Sequence, residues 1–326
     1  MRGGRRDRVP GVWLMRIIGF RAITAIPLIL LVSFIIFALE SLVPGNPAET
    51  ILGQNATPQN VAALDRQLGL NKPLLVGFWN WLDGVMHGHL GTSVISGESV
   101  GTLLSARLPV TLSLVVLSVI VSAIVGTALG LASARRGGWV GRLLDVVSLT
   151  GLALPSFWVG TMLVAVFAVK IRIFPATGYE AFGQSPTGWI VHLILPVAAL
   201  SLLGVASVAK QSRDAILSAL EADYIAMLRG NGMSEREIMF KHVLRNAAMP
   251  IVTVLGVVAI GTLGGTVFVE SVFVLPGLGS LATQSTVDHD LPVILGIGLY
   301  FTIIVVVINL LVDITYGLLN PRAKTT

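Results

Sequence analysis

The sequence predicts an all-α membrane protein whose chain crosses a lipid bilayer six times. Apolar residues make up 54% of the 326 residues and charged residues only 12%, and the mean hydropathy is +0.84. Soluble domains usually carry about 25% charged residues, so this chain has too few charges to cover a water-exposed surface of its size. Its uncharged stretches reach the roughly 20 residues that a spanning helix needs, whereas barrel strands alternate over about 10 residues. Cysteine is absent, which excludes disulfides and thiolate metal sites.

Six stretches without Asp, Glu, Lys or Arg are long enough for a spanning helix. They are Ala22 to Leu39, the segments between Arg107 and Arg135 and between Asp145 and Lys170, Trp189 to Ala209, and the segments between Arg245 and Glu270 and between Asp290 and Asp313. A basic stretch before the first span is also typical of a cleaved signal peptide. The apolar core is long for a signal peptide and no A-x-A site follows it, so we expect it to remain as the first spanning helix.

The distribution of Lys and Arg predicts that both termini are cytoplasmic. Of these 22 residues, 17 fall on the side that includes the two ends and five on the other. The net charge of +5 therefore orients the chain in the membrane and does not indicate a nucleic-acid partner. The predicted regions are a basic N-terminus (1–21), the first spanning helix (22–39), an extracytoplasmic loop (40–107), a five-helix core (108–313) that includes a cytoplasmic loop (210–245), and a cytoplasmic tail (314–326).

The extracytoplasmic loop is predicted to contain a short amphipathic helix. Thr57 and Pro58 are typical of an N-cap and the first helical position, and Val61 and Leu64 recur at helical spacing. Gly69 is a typical C-terminal stop. This helix is either a spacer over the bundle or a surface that contacts an extracytoplasmic partner.

The cytoplasmic loop before the fifth span is predicted to form two helices joined by a turn. The segment from Ser234 to Glu237 matches the capping box, with Ser at the N-cap and Glu at N3. The turn signal before it ends in Gly232, which can adopt positive φ and allows close backbone approach. One helix therefore leads in from Glu221, and a second begins at Ser234 and continues towards Pro250. By itself, this elbow is either a solvated connector or a docking surface for a cytoplasmic partner.

A family resemblance rests on this elbow and on segments spread along the chain. In the elbow, the residues that carry the resemblance are Glu221, Ala222, Asp223, Tyr224, Gly232, Ile238, the run from His242 to Asn246, and Pro250. The matching segments elsewhere are 43–47, 88–93, 154–158, 268–273, 276–279, 309–313 and 320–322. Together they resemble the permeases of ABC importers, whose "EAA" loop has this spacing, and in particular the dipeptide/oligopeptide/nickel branch. The sequence departs from the family pattern in the run 228–232 and at His89, His289 and Asn320.

The resemblance implies the type I ABC importer permease fold in a bacterial inner membrane, with the elbow as a coupling helix held in a cleft of an ATPase. The coupling residues that it implies are Glu221, Ala222, Asp223, Gly232, Ser234, Glu235, Arg236, Glu237, Ile238, Lys241, His242, Arg245, Asn246 and Pro250. The implied partners are a second homologous permease subunit, two cytoplasmic ABC ATPases and an extracytoplasmic substrate-binding protein. Di- and oligopeptides are the implied cargo, and nickel is the alternative within the family.

The chain has no G-x-x-x-x-G-K-[ST] phosphate loop, so ATP and Mg²⁺ are expected on the partner ATPases. No cofactor and no catalytic site are expected on this chain. The alternative from a different class is a stand-alone channel or secondary transporter. Two observations disfavour this alternative. Apart from their ends, spans two to five lack the acidic and basic residues that a proton relay needs, and the sequence has no visible internal repeat.

Glycine and proline residues give further candidates for packing or for the pathway. Gly126 and Gly130 in span two, and Gly261 and Gly265 in span five, form G-x-x-x-G patterns that suit close helix packing or a pore lining. Pro155 and a second proline in span four should kink their helices.

Ionisable residues at the ends of the spans are the remaining candidates. Glu270, at the outer end of span five, is a candidate for the pathway, and Asn309 and Asp313 share one helix face. Asp313 is expected to pair with a basic residue of the elbow. His87 and His89 have the ligand chemistry for nickel or zinc, but histidines beside glycines in a loop are expected to be solvated, and no metal site is predicted.

Overall fold

A computed structural model of the chain describes residues 10–40, 42, 46–68, 72–136, 139, 141, 146 and 154–319. In these residues the regular secondary structure is helical, apart from an isolated antiparallel bridge between Thr92 and Ser99. The prediction of an all-α chain is therefore confirmed.

The main helices of the described residues are numbered in chain order. They are α1 (Pro10–Glu40), α2 (Pro47–Leu52), α3 (Pro58–Leu68), α4 (Leu74–Met86), α5 (Val100–Arg136), α6 (Ser156–Lys170), α7 (Pro186–Leu220), α8 (Asp223–Gly230), α9 (Glu235–Phe273), α10 (Leu278–Val287) and α11 (Leu291–Leu319). Short π-helical segments lie within α5 at Ser122–Gly126 and within α9 at Ile238–Val243, and a further one forms the C-terminal part of α6 at Val164–Lys170.

Five described helices are long and apolar enough to cross a membrane: residues Gly19–Leu39 of α1, and α5, α7, α9 and α11. They coincide with five of the six predicted spans. The third predicted span corresponds to α6, which is shorter, and most residues between Asp145 and Leu154 lie outside the described part of the chain. The count of six spans and the cytoplasmic position of both ends therefore stay predictions.

The outer-loop helix predicted from Thr57 and Pro58 is confirmed as α3, and the Thr57 hydroxyl accepts a hydrogen bond from the Asn60 N–H at 3.3 Å. Gly69, its predicted stop, lies outside the described residues. The loop also contains α2 and α4, which the sequence pattern did not indicate.

The helices α7 and α9 form the centre of the bundle. α7 packs against α5, α6 and α9, while α1 lies along α11. Hydrophobic association is weak between helices in lipid, so close packing of small residues has to hold such a bundle together. Gly126 and Gly130 supply it between α5 and α7: a Cβ on Gly130 would lie 2.6 Å from the Ala209 carbonyl oxygen.

The helix α7 extends well beyond the length predicted for its span. α7 has 35 residues, or about 52 Å at 1.5 Å per residue, against a hydrocarbon layer of about 30 Å. It runs unbroken past Ala209 to Leu220, with Pro196 in its interior. Pro155, by contrast, lies at the N-cap of α6 with extended backbone, so it begins this helix and does not kink its interior.

Candidate functional site

The elbow, defined as residues 221–246, connects the end of α7 to the membrane part of α9. Glu221 follows the last residue of α7, and Ala222 is the extended N-cap of α8. Residues 231–234 then turn the chain into α9. The two-helix arrangement predicted for this loop is confirmed.

The turn of the elbow depends on Gly232, whose φ is +78°. Gly232 N–H donates to the Arg229 carbonyl at 3.0 Å, and Met233 N–H donates to the Leu228 carbonyl at 3.2 Å. These bonds cap the C-terminus of α8 as a glycine in the left-handed region usually does. A Cβ at Gly232 would meet nothing within 4 Å, so the requirement within this chain is conformational, and the space beside it is open.

The predicted N-cap at Ser234 is confirmed, because its hydroxyl accepts a hydrogen bond from Glu237 N–H at 3.3 Å. The Glu237 carboxylate does not complete a capping box. It accepts instead from the Lys241 ammonium at 3.1 Å, one turn later on the same face.

An ion pair that the sequence pattern did not predict spans the turn. Arg229 donates from Nε to Glu235 Oε1 at 2.6 Å and from its terminal nitrogen to Oε2 at 3.2 Å. This bidentate contact joins the last turn of α8 to the first turn of α9 and so restrains the angle between them. The hydrogen bond to Glu235 also raises the pKa of the Arg229 guanidinium. Both side chains are exposed, so the pair orients the elbow more than it stabilises the fold.

The underside of the elbow is apolar and packs on α7. Ile225 of α8 and Ile238 and Val243 of α9 are buried together with Ile216 of α7, and Met233 packs against the same cluster. Full burial of such a side chain contributes about 1.5–3 kcal/mol where the alternative is water. The elbow is therefore a firmly packed extension of the bundle.

A polar contact and a partly buried histidine lie between the apolar underside and the exposed face. Asn246 Nδ2 donates to the Tyr224 hydroxyl at 2.8 Å, which ties α8 to α9 at a second point. His242 Nε2 is buried and has no hydrogen-bond partner among the described residues.

The opposite face of the elbow is open and mixes apolar with charged groups. This face contains a shallow, open pocket with a volume of about 570 Å³, which is lined by Ser234, Arg236, Glu237, Phe240 and Lys241. The Phe240 side chain is 53% exposed and carries the Arg135 guanidinium of α5 over its ring at 5.6 Å.

Exposed apolar and aromatic groups among charges are typical of protein-docking surfaces. Met227 of α8 is a further exposed apolar side chain of the elbow, with 61% exposure. Met227, Arg229 and Phe240 were absent from the predicted site, because no local spacing rule pairs residues across a turn.

The other predicted coupling residues fall on both sides of the elbow. Those that are exposed are Glu221, Asp223, Glu235, Arg236, Lys241, Arg245 and Asn246, and those that are partly buried are Ala222, His242 and Pro250. Pro250 lies inside α9, beyond the elbow.

Glu270 is wholly buried where α9, α5 and α10 meet. Its Oε1 accepts from the Thr111 hydroxyl at 2.7 Å and its Oε2 from Ser280 N–H at 2.8 Å. The Thr111 hydroxyl in turn accepts from Leu278 N–H at 2.8 Å. A carboxylate at the N-terminus of α10 is favoured by the orphan N–H groups and the helix dipole. Glu270 therefore holds α10 in place and lines no open path in this structure.

The prediction that Asp313 pairs with the elbow is wrong. Its carboxylate accepts from Arg21 Nε of α1 at 2.5 Å. Because α1 lies along α11, Asp313 pairs with a basic residue of α1 and not with one of the elbow. Asn309 is partly buried one turn earlier on α11.

The glycine pattern of span five divides between two environments. Gly265 approaches α7, where its Cβ would lie 3.2 Å from Leu200 Cδ2, whereas Gly261 is exposed and a Cβ there would meet nothing within 4 Å. Gly261 thus has open space beside it, while Gly126 and Gly130 are packed against other residues of this chain.

The two outer-loop histidines are exposed, as expected for solvated side chains. His87 Nδ1 lies 2.8 Å from the Asp83 carbonyl oxygen and 3.7 Å from its carboxylate. Over the described ranges, no group of three or more His, Cys, Asp or Glu side chains could hold a metal ion.

Comparison with known proteins places these features in a family. Residues 126–325 match the family described as "Binding-protein-dependent transport system inner membrane component", and residues 14–115 match "Binding-prot-dependent transport system membrane comp, N-term". The "Probable peptide ABC transporter permease protein y4tP" of Sinorhizobium fredii is 39% identical over 315 residues, which cover 96% of this chain and 99% of that protein. The "Glutathione transport system permease protein GsiC" of Salmonella typhimurium is 36% identical over 93% of this chain and 97% of its own length.

A solved structure shares the fold. An inward-facing form of the MetNI methionine ABC transporter matches with a TM-score of 0.52 at 16% identity, over 67% of this chain and 96% of the compared one. At that identity the likeness concerns the fold.

Proposed function

Since the chain belongs to the family of binding-protein-dependent transport system inner membrane components, and is thus a multi-pass permease subunit of an ABC importer, we propose that its cargo is di- and oligopeptides. The relatives named above support this choice, because one is named a peptide permease and the other a permease for glutathione, itself a small peptide. We propose that an extracytoplasmic binding protein delivers the peptide, as the family description implies.

The observation that carries the mechanism is the build of the elbow. Its underside is packed on α7, its turn is restrained by Gly232 and the Arg229–Glu235 pair, and its outer face is open. A rigid projection with an exposed surface of apolar and charged groups can bind a partner subunit and transmit the movement of that partner to the bundle. We propose that the partner is a separate ATPase subunit, which binds ATP and Mg²⁺.

The transport step in this proposal is a rigid-body switch. Closure of two ATPase subunits would move the elbows of this chain and of a second, homologous permease, and the bundle would change between two open states. Because the elbow packs on α7 and its second helix is continuous with the rest of α9, its displacement would pass directly to the helices at the centre of the bundle.

Uptake measurements in bacterial cells test this proposal. Labelled di-, tri- and pentapeptides and nickel ion are offered to cells that lack the chain, that carry it, and that carry the Gly232→Val variant. We expect peptide uptake only with the intact chain. If only nickel uptake depends on the chain, nickel and not peptide is the cargo. If uptake of all four compounds is the same with and without the chain, neither is the cargo. Peptide uptake that continues when ATP is depleted would indicate a secondary transporter or a channel.

A further inference from the structure

The helix α4 has an apolar arc that is wider than its contact with the rest of the chain. Phe78 and Leu82 are buried against the bundle. Leu75, Trp79 and Met86 lie next to them around the helix, about 60–100° from Phe78 at 3.6 residues per turn, yet they are 60%, 62% and 70% exposed. These three side chains form an uncovered apolar stripe.

The polar residues of α4 occupy a different side of the helix. Asn80, Asp83 and the C-cap residue His87 follow at about 140–200° from Phe78. All three are exposed, and Asp83 is the one charged residue within α4. The helix is therefore amphipathic, with Trp79 and Asn80 on adjacent positions that face different directions.

The contact between α4 and α1 places α4 near the end of a helix that can cross the membrane. The Phe78 ring lies 5.3 Å from the ring of Phe34 and 5.9 Å from that of Phe37, edge to face. These residues precede the last residue of α1, Glu40, by six and three positions, or about 9 and 5 Å along the helix. A Cβ on Gly77 would lie 2.9 Å from Phe37 Cζ, so α4 is pressed closely against α1.

The surface of α1 beside this contact is the surface of a spanning helix. Leu31 and Ile35 are 57% and 44% exposed there, within the segment Gly19–Leu39 that can cross the membrane. The α1 residues that contact Phe78 therefore belong to a helix that can cross the membrane, and they lie close to the end of that helix.

We propose that α4 is an interfacial helix, with Leu75, Trp79 and Met86 inserted among the lipid acyl chains and Asn80, Asp83 and His87 directed to water. Amphipathic helices of this kind bury their apolar face about 5–10 Å into the boundary layer, and tryptophan is enriched at this level. The lipid surface would thus fix one side of the loop that also carries α2 and α3. This assignment does not depend on the cargo of the transporter.

Spin labelling tests the proposal directly, because the chain contains no cysteine. Nitroxide labels are attached to Trp79→Cys, Met86→Cys, Asn80→Cys and the lipid reference Leu31→Cys, in the transporter assembled with cysteine-free partner chains and placed in phosphatidylcholine–phosphatidylglycerol vesicles. We expect labels at positions 79 and 86 to collide with oxygen in preference to a water-soluble nickel chelate, as at position 31. The label at position 80 should show the reverse preference.

Two results would overturn the assignment. Ready collision of the labels at positions 79 and 86 with the nickel chelate would place the stripe in water. Shielding of both labels from both reagents would place it against a protein, such as a binding protein or a second permease. ATP hydrolysis by each labelled complex verifies that the variant is assembled, and the two stripe positions give independent readings.

Discussion

The hydroxyl of Thr111 lies between the carboxylate of Glu270 and the backbone of Leu278, donating to the first and accepting from the second. One oxygen atom thereby links α5, the end of α9 and the start of α10. All three residues are buried, so removal of the hydroxyl would take one hydrogen bond from Glu270 and leave the Leu278 N–H without this partner.

Replacing Thr111 by valine should therefore destabilise the chain. The variant keeps the shape of the side chain but leaves a buried carboxylate oxygen and a buried N–H without partners, at a cost of about 1–3 kcal/mol each. We expect the unfolding midpoint of the purified complex in detergent to fall by several degrees. Thr111→Ser keeps the hydroxyl and should stay close to the parent, and equal midpoints for the Val and Ser variants would contradict the linking role.

Gly232→Val should abolish peptide uptake while the chain still inserts in the membrane. A β-branched residue at φ of +78° is strained, and the left-handed region costs ordinary residues about 1–2 kcal/mol, so the turn should open and misdirect the outer face of the elbow. Gly232→Asn is the matched control, because asparagine tolerates this region. Uptake by the Asn variant should exceed that of the Val variant, and normal uptake with valine would count against the role of the turn.

Arg236→Glu should weaken co-purification of the ATPase with this chain. Arg236 is exposed and lines the concave face of the elbow, so reversal of its charge alters the docking surface without disturbing buried packing. Arg66→Glu, on the exposed side of α3, changes the net charge equally and should leave co-purification unchanged. The same yield of ATPase with both variants would remove Arg236 from the contact.

Disruption of the ion pair across the turn should reduce coupling and not folding. Arg229→Glu places two carboxylates beside each other, so we expect lower ATP-dependent uptake in vesicles at an unchanged amount of inserted chain. The double variant Arg229→Glu, Glu235→Arg restores opposite charges and should recover part of the uptake. A double variant as defective as the single one would show that the pair itself is not what matters.

The two glycine patterns should respond differently to alanine. Gly130→Ala puts a Cβ 2.6 Å from a backbone oxygen of α7, which cannot move without displacing that helix, whereas Gly261→Ala meets open space. Alanine otherwise favours a helix by about 1 kcal/mol over glycine. We expect the Gly130 variant to have a lower unfolding midpoint and the Gly261 variant a parental or higher one. The opposite order would show that the interface between α5 and α7 is looser than its geometry indicates.

The sequence predicted the features that depend on local patterns. Uncharged stretches located five of the described spanning helices, and Ser234 and Gly232 located the turn of the elbow because capping and positive φ involve only neighbouring residues. The roles of the coupling residues stay predictions, as they concern partner chains.

The contacts that were missed depend on the tertiary fold. Asp313 and Arg21 are 292 residues apart in sequence, and nothing in the spacing of either one indicates that α1 lies along α11. Glu270 had the pattern of an acid at the end of a span, but its role follows from α10 folding back onto it. The helix α4 was overlooked because it contains a single charge and is too short to span a membrane.

Because α7 is a continuous helix, the number of its residues determines the direction in which the elbow points. Each residue added to an α-helix turns everything beyond it by about 100° and advances it by about 1.5 Å. The number of residues between the glycine contacts near Ala209 and the elbow at Glu221 therefore sets the direction in which the open face of the elbow points. Insertion or deletion of one residue in this segment would therefore turn the open face of the elbow by about 100° relative to the bundle.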